Sequence, residues 1–317
     1  MSIKIDSFGE LQRITLDNEL VRAIVLPDLG GKMISLVRLA GGHEFLLQMP
    51  EPERGYRRGV YGDAFEEYDT SGFDDCMPTV AECVYPDDEF KGVVLPDHGE
   101  VWSAPWSCDI DGEVLSMWTS GRGLPYTLSK RLRLEGARLI IDYEVENLSD
   151  QAFKYLWSAH PLLAVNPGDR VVLPEEVNEL FVHWSKDDRL GPHGQSCGWP
   201  VAIQINGQAD DLSIIKPPSA GWAEKLFTSR LTTGHCALYS TTSGESIGFH
   251  FDPELVPFVG LWICQGGWPT SRAAKHYTVA LEPCNGRPDS LAEASARGEC
   301  EILPARAIKR WALRLEV

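Results

Sequence analysis

Long apolar runs are missing from the 317-residue sequence: nowhere do eighteen apolar residues follow one another, so no conventional membrane-spanning helix is expected. The amino terminus, "MSIKIDSFGELQRITL", has no charged segment leading into an apolar one, so a secretory leader is not expected and a cytoplasmic location is. Basic charge is scarce. Lys and Arg number 29 against 46 Asp and Glu, and the net charge of −17 opposes binding to nucleic acid or to an anionic membrane. The eight cysteines are scattered without a single C-x-x-C pair, which argues against both a thiolate zinc site and a disulfide framework. Helical periodicity is nearly absent too; "DSLAEASARGE", starting at Asp289 with Asp289 or Ser290 as its cap, is the best candidate.

What the chain does have is the pattern of strands. In "ARLIIDYEVE" (137–146), Leu139, Ile141, Tyr143 and Val145 alternate with Arg138, Asp142, Glu144 and Glu146, the period of a half-buried strand. The preceding "LSKRLRL" alternates similarly, and Glu135-Gly136 between them reads as the turn of an antiparallel hairpin. Trp311, Leu313, Leu315 and Val317 repeat the pattern at the end of the sequence. Many strands, few helices and an apolar content of 43% predict an all-β fold, a large antiparallel β-sandwich formed by residues 1–317 as one domain. Breakers such as "NPGD", "LGPHGQSCGWP" and "IKPPSAGW" mark long rim loops within about 166–222.

Several segments carry candidate chemistry. Gly244-Glu245-Ser246-Ile247-Gly248 matches G-x-S-x-G, but both flanks read as strands, whereas a nucleophile elbow needs a strand followed by a helix. His160 closes the apolar strand "AFKYLWSAH" just before Pro161, which marks a strand end or sheet edge; a satisfied core histidine is the alternative. His98, in "VVLPDHGEVW", sits where a Pro-Asp turn would expose a ring at a strand end, as a surface or capping histidine or as a ligand. Glu282 lies in the β-prone run "YTVALEPCNG", where burial of a carboxylate requires a partner or a functional cavity, unless it faces water. The wide spacing of these three gives no local metal signature, so no metal and no cofactor are expected. Asp74 and Asp75 in "GFDDCMPTV" are adjacent, and on a strand only one of them faces a pocket; too few oxygen ligands lie nearby for calcium. Ten tryptophans supply stacking surface, most of it for the core, with Trp157, Trp262 and Trp268 nearest the candidate segments.

These residues together resemble the aldose 1-epimerase, or galactose mutarotase-like, family. "DHGEVW" resembles the family's histidine-glycine segment, "YLWSAHPLLAV" its strand ending in histidine, and "VALEPCNGRPDSL" the segment with its catalytic glutamate. "LPDLGGKMISL" is similar to the first core hairpin and "LPARAIKRWALRL" to the final strands, so the likeness spans nearly the whole chain. The resemblance implies a sugar-binding β-sandwich in which Glu282 is the general base, His160 the general acid, and His98 a sugar ligand near the ring oxygen. The chain departs from the family pattern at several points. "FDDC" stands where the family has an arginine, implying that Asp74 or Asp75 contacts hydroxyls; Cys284 replaces a glutamine; and Glu224 and Lys225 fall at the sugar-binding aspartate.

Mutarotation by such a pair needs no redox cofactor or metal, only a base at the anomeric hydroxyl and an acid at the ring oxygen. With ordinary pKa values of ~4.3 and ~6.5, a Glu⁻/HisH⁺ pair at neutral pH calls for a raised histidine, which the carboxylate would supply. A catalytically silent sugar-binding or sensing protein and a glycosidase or lyase using Glu282 with Asp75 are the other readings. The partner is a small-molecule sugar, neutral or, if Arg57, Arg58 or Lys225 serves it, acidic or phosphorylated; a monomer and a homodimer fit equally.

Overall fold

The hairpin predicted by alternation forms the centre of one sheet. In the computed structural model, which describes residues 2–51 and 55–317, strands Tyr126–Glu135 and Arg138–Asn147 pair along their full length. Leu139, Ile141, Tyr143 and Val145 are all buried. The turn itself is Gly136-Ala137, one residue later than expected, because Glu135 still pairs with Arg138; Gly136 takes the left-handed φ of 61° that a two-residue connection favours. Strand Ile308–Glu316 adds to the other side of Arg138–Asn147, and among the described residues this antiparallel sheet has eight strands.

A second antiparallel sheet, of twelve strands among the described residues, packs against the first. Its central order is Lys32–Arg38, Phe73–Cys76, Ser158–Leu163, Tyr277–Cys284, Phe258–Gln265, Trp222–Thr228 and Glu179–Ser185. The inner faces share one apolar core, with Leu132, Val145 and Leu313 from the first sheet meeting Leu36, Val259 and Leu281 from the second. At its centre Trp157, fully buried, lies 4.8 Å from Tyr143 and 4.9 Å from Trp311 between ring centroids, contacts worth about 0.5–1.5 kcal/mol each beyond area burial.

Strands of both sheets run through the 166–222 stretch expected to be rim loop. Five short ones form there before strand Trp222–Thr228, and Glu179–Ser185 joins the large sheet beside it. Breakers every few residues conceal them in the sequence. Ser246 opens strand Ser246–Phe251, which pairs with His235–Tyr239, so the G-x-S-x-G match is a hairpin with no helix behind it. The helix Leu291–Arg297 forms as expected, with Ser290 as the cap that accepts from the Glu293 N–H and Gly298 ending it at φ 68°. All eight cysteines are unpaired, and no helix among the described residues is long and apolar enough to cross a membrane.

Candidate active site

His160 and Glu282 face each other across the middle of the large sheet. The pairs Ser158↔Cys284 and Leu162↔Ala280 fix the register, which sets position 160 opposite position 282; His160 Nε2 lies 4.0 Å from Glu282 Oε1. The expectation that Pro161 ends the strand at a sheet edge is corrected here: Ser158–Leu163 continues through it in the sheet interior. Pro161 and Pro283 each lack an N–H, and the ladder between the two strands opens between Ser158 and Leu162, so both side chains occupy an interruption in the pairing.

The two groups form the floor of a cavity of about 470 Å³ on the outer face of this sheet. Glu282 is ion-paired with Lys225, whose Nζ is also 3.3 Å from Asp289 Oδ1. Glu282 Oε1 has no hydrogen-bond partner among the described residues. Gly260 is the register partner of Glu282, and a Cβ there would sit 3.0 Å from Glu282 Oε2 and 3.1 Å from the Phe227 ring, so the missing side chain makes room for the carboxylate. His98 approaches from a loop. Its ring lies 5.0 Å from that of His160 and stacks on Phe65 at 4.2 Å, and its Nδ1 is 2.9 Å from Asp97 Oδ1. The left-handed φ of 57° at His98 is uncommon for a non-glycine residue, and such geometry concentrates at functional sites.

One wall is aromatic. Trp262 stacks with Trp184 at 5.9 Å and meets Trp268 edge-on at 5.7 Å, a surface suited to the C–H face of a sugar ring. Trp262 and Trp268 were legible as candidates; Trp184, His183, Phe65 and Asp289 were not. Of these, Asp289 had a signal as a candidate helix cap, yet Ser290 takes that role and the Asp289 side chain turns to Lys225.

Four other expected residues lie away from the cavity. Asp75 faces inward, where it accepts from Lys130 Nζ at 2.8 Å and Trp157 Nε1 at 3.2 Å in the space between the sheets. That removes both Asp75 and Trp157 from sugar contact and Asp75 from service as a second glycosidase carboxylate. Asp74, the register partner of His160, does share the outer face, but it packs 3.0 Å from Lys32, and Phe65 rather than Asp74 reaches the cavity there. Glu224 points to the opposite side of its strand from Lys225 and receives two hydrogen bonds from Arg189. Strand alternation accounts for Asp75 and Glu224; Trp157 lies in the link between strands Phe153–Tyr155 and Ser158–Leu163, and Asp74, on the cavity side, is drawn to Lys32.

Electrostatics also depart from expectation. Burial lowers the pKa of His160 well below its ordinary value, and the neighbouring His98, Lys225 and Lys32 push it the same way. A carboxylate 4.0 Å away does not reverse this, because Lys225 already engages it. Burial raises Glu282, with Lys225 opposing that shift. Asp97 is held below its ordinary value: burial would raise it, but the hydrogen bond and charge of His98 prevail.

No family model matches the chain, and neither does any curated protein sequence. Solved structures do. A galactose mutarotase related enzyme from Lactobacillus acidophilus superposes with a TM-score of 0.67 at 15% identity over 96% of both chains. A galactose mutarotase-like protein from Clostridium acetobutylicum does so at 0.69 and 14%, over 99% of this chain and 97% of its own. Another, from Lactobacillus casei, reaches 0.61 and 18%, over 96% and 99%. The fold is therefore the galactose mutarotase-like β-sandwich, in a sequence far diverged from those it resembles in shape.

Proposed function

We propose that this protein interconverts the anomers of an uncharged sugar, with Glu282 as general base and the His160–His98 pair as general acid. The observation that carries this reading is the opposition of His160 and Glu282 at 4.0 Å in the floor of the cavity, with one carboxylate oxygen unpartnered. Glu282 takes the proton of the anomeric hydroxyl while the ring oxygen receives one from the histidine pair. The bond from C1 to the ring oxygen breaks, the open-chain aldehyde rotates about C1–C2, and closure on the other face returns both protons. His98 completes the acid side: its ring lies 5.0 Å from that of His160, and its Nδ1 donates to the Asp97 carboxylate.

Charge supports an uncharged substrate. Among the described lining residues Lys225 is the only lysine or arginine, and two carboxylates already engage it. Arg57 donates to the Glu67 carbonyl and Arg58 lies 3.1 Å from Asp28, both off the cavity wall. A phosphate or a sugar acid would meet Glu282 and Asp289 without a free cation. The eight unpaired cysteines fit a reducing, cytoplasmic setting.

Anomer-resolved NMR on freshly dissolved monosaccharides, with and without protein, tests the proposal. Faster exchange for a neutral aldose supports it, and saturable binding with unchanged exchange means a sugar-binding protein instead. Trp262→Ala is expected to raise KM about tenfold or more with kcat little altered, since it removes a stacking face and leaves the acid and base in place. Gly260→Ala is expected to act on kcat, roughly ten- to a hundredfold, by displacing the Glu282 carboxylate; steady-state kinetics on the two variants separates the effects.

A further inference from the structure

At the edge of the cavity a second cluster has no part in the proposed reaction. We propose that His183, His193 and Glu293 form a binding site for a divalent transition metal of the Zn2+ type. One potential ligand atom from each lies within 4.8 Å of the other two. The residues come from three separate pieces of the chain: strand Glu179–Ser185, the loop before strand Ser196–Gly198, and helix Leu291–Arg297.

The two imidazoles stand in different settings. His193 Nδ1 lies 2.8 Å from the His183 carbonyl, and a proton on that nitrogen leaves the lone pair of Nε2 aimed at Glu293 Oε1, also 2.8 Å away. At that distance a second proton joins the pair, and a metal ion would take the place of that proton, with bonds of about 2.0–2.1 Å to each atom and a modest widening of the gap. His183 Nε2 lies 3.5 Å from Asp289 Oδ2, while its Nδ1 is buried without a hydrogen-bond partner. An imidazole oriented through one nitrogen by a backbone carbonyl, as His193 is, with the other turned to the ligand set is the usual outer arrangement of a metal-ligating histidine. Glu293 adds a further sign. Ser290 and Glu293 match the S-x-x-E capping box, in which the glutamate returns to the cap, yet the Glu293 carboxylate goes to His193. Two imidazoles and one carboxylate suit Zn2+ and leave a coordination position open.

Calorimetric titration of the chelator-treated full chain with Zn2+ tests this, together with Co2+ titration followed by visible absorption. One tight site per chain is expected, with Co2+ d–d bands and without thiolate charge transfer. His193→Ala and Glu293→Gln, both at the partly exposed side of the cluster, are each expected to weaken binding at least ~tenfold while the circular dichroism spectrum is unchanged. Equal affinity in the wild type and the double variant, or charge-transfer bands that place the ion on cysteine, overturns the proposal, as does the lack of any Zn2+ binding at micromolar concentration.

Discussion

Replacing Glu282 with Gln lowers the anomer-exchange rate at least ~100-fold and leaves the fold intact. Glutamine keeps the size and planarity of the side chain but cannot take a proton from the anomeric hydroxyl. The substitution does not strand a buried charge, because Lys225 retains Asp289 at 3.3 Å. Polarimetry of a freshly dissolved sugar measures the rate, and thermal unfolding checks the fold. Full activity in Glu282→Gln on a confirmed substrate would remove Glu282 from the role of base. His160→Asn and His98→Asn then apportion the acid: the variant with the larger loss of rate on the same sugar marks the ring that delivers the proton to the ring oxygen.

Lys225→Met has the second large effect, and it falls on stability and activity together. Glu282 and Asp289 lose their shared cation, and breaking a buried ion pair from one side costs about 3–5 kcal/mol. The ammonium opposes the upward push of burial on Glu282, so its removal raises that pKa further. The sign follows: a base that stays protonated to higher pH moves the acid limb of the rate profile toward alkaline pH. A carboxyl with a raised folded-state pKa contributes stability below its unfolded pKa and loses that contribution as pH rises through the folded value. The variant is therefore destabilised more at pH 8 than at pH 5, as denaturant titrations at the two values would measure. An unchanged pH–rate profile in a folded Lys225→Met protein would mean that Lys225 is a structural counterion without influence on the base.

Alternation within single segments accounts for what was legible. The period of two in 137–146 identified a strand, its buried face and its hairpin partner, and the turn missed by one residue because Glu135 remains in the ladder. The same rule anticipated that Asp74 and Asp75 face opposite ways, though it could not say which faced the core. His160, Glu282, His98 and Lys225, singled out by the resemblance, and Trp262 and Trp268, singled out by nearness to those segments, all line one cavity. Glu224 faces away because one position along a strand reverses the side, and Trp157, in the link before strand Ser158–Leu163, turns into the core; nearness in sequence to a site residue decides neither. The 166–222 segment hid its strands because they are only three to seven residues long and bounded by Gly and Pro.

By itself the sequence determined the fold class, the strands with a clear period, the helix with its cap, and the histidines and glutamate worth watching, because each depends on side chains a few residues apart. Only the tertiary structure decided that Lys225 would hold Glu282, that burial would push the His160 pKa down, and that His183, His193 and Glu293 would converge. Those outcomes depend on strand order and register, which bring Lys225 to Glu282 and Glu293 to the His183–His193 segment, and on burial, which shifts a pKa only once the surrounding chain has excluded water.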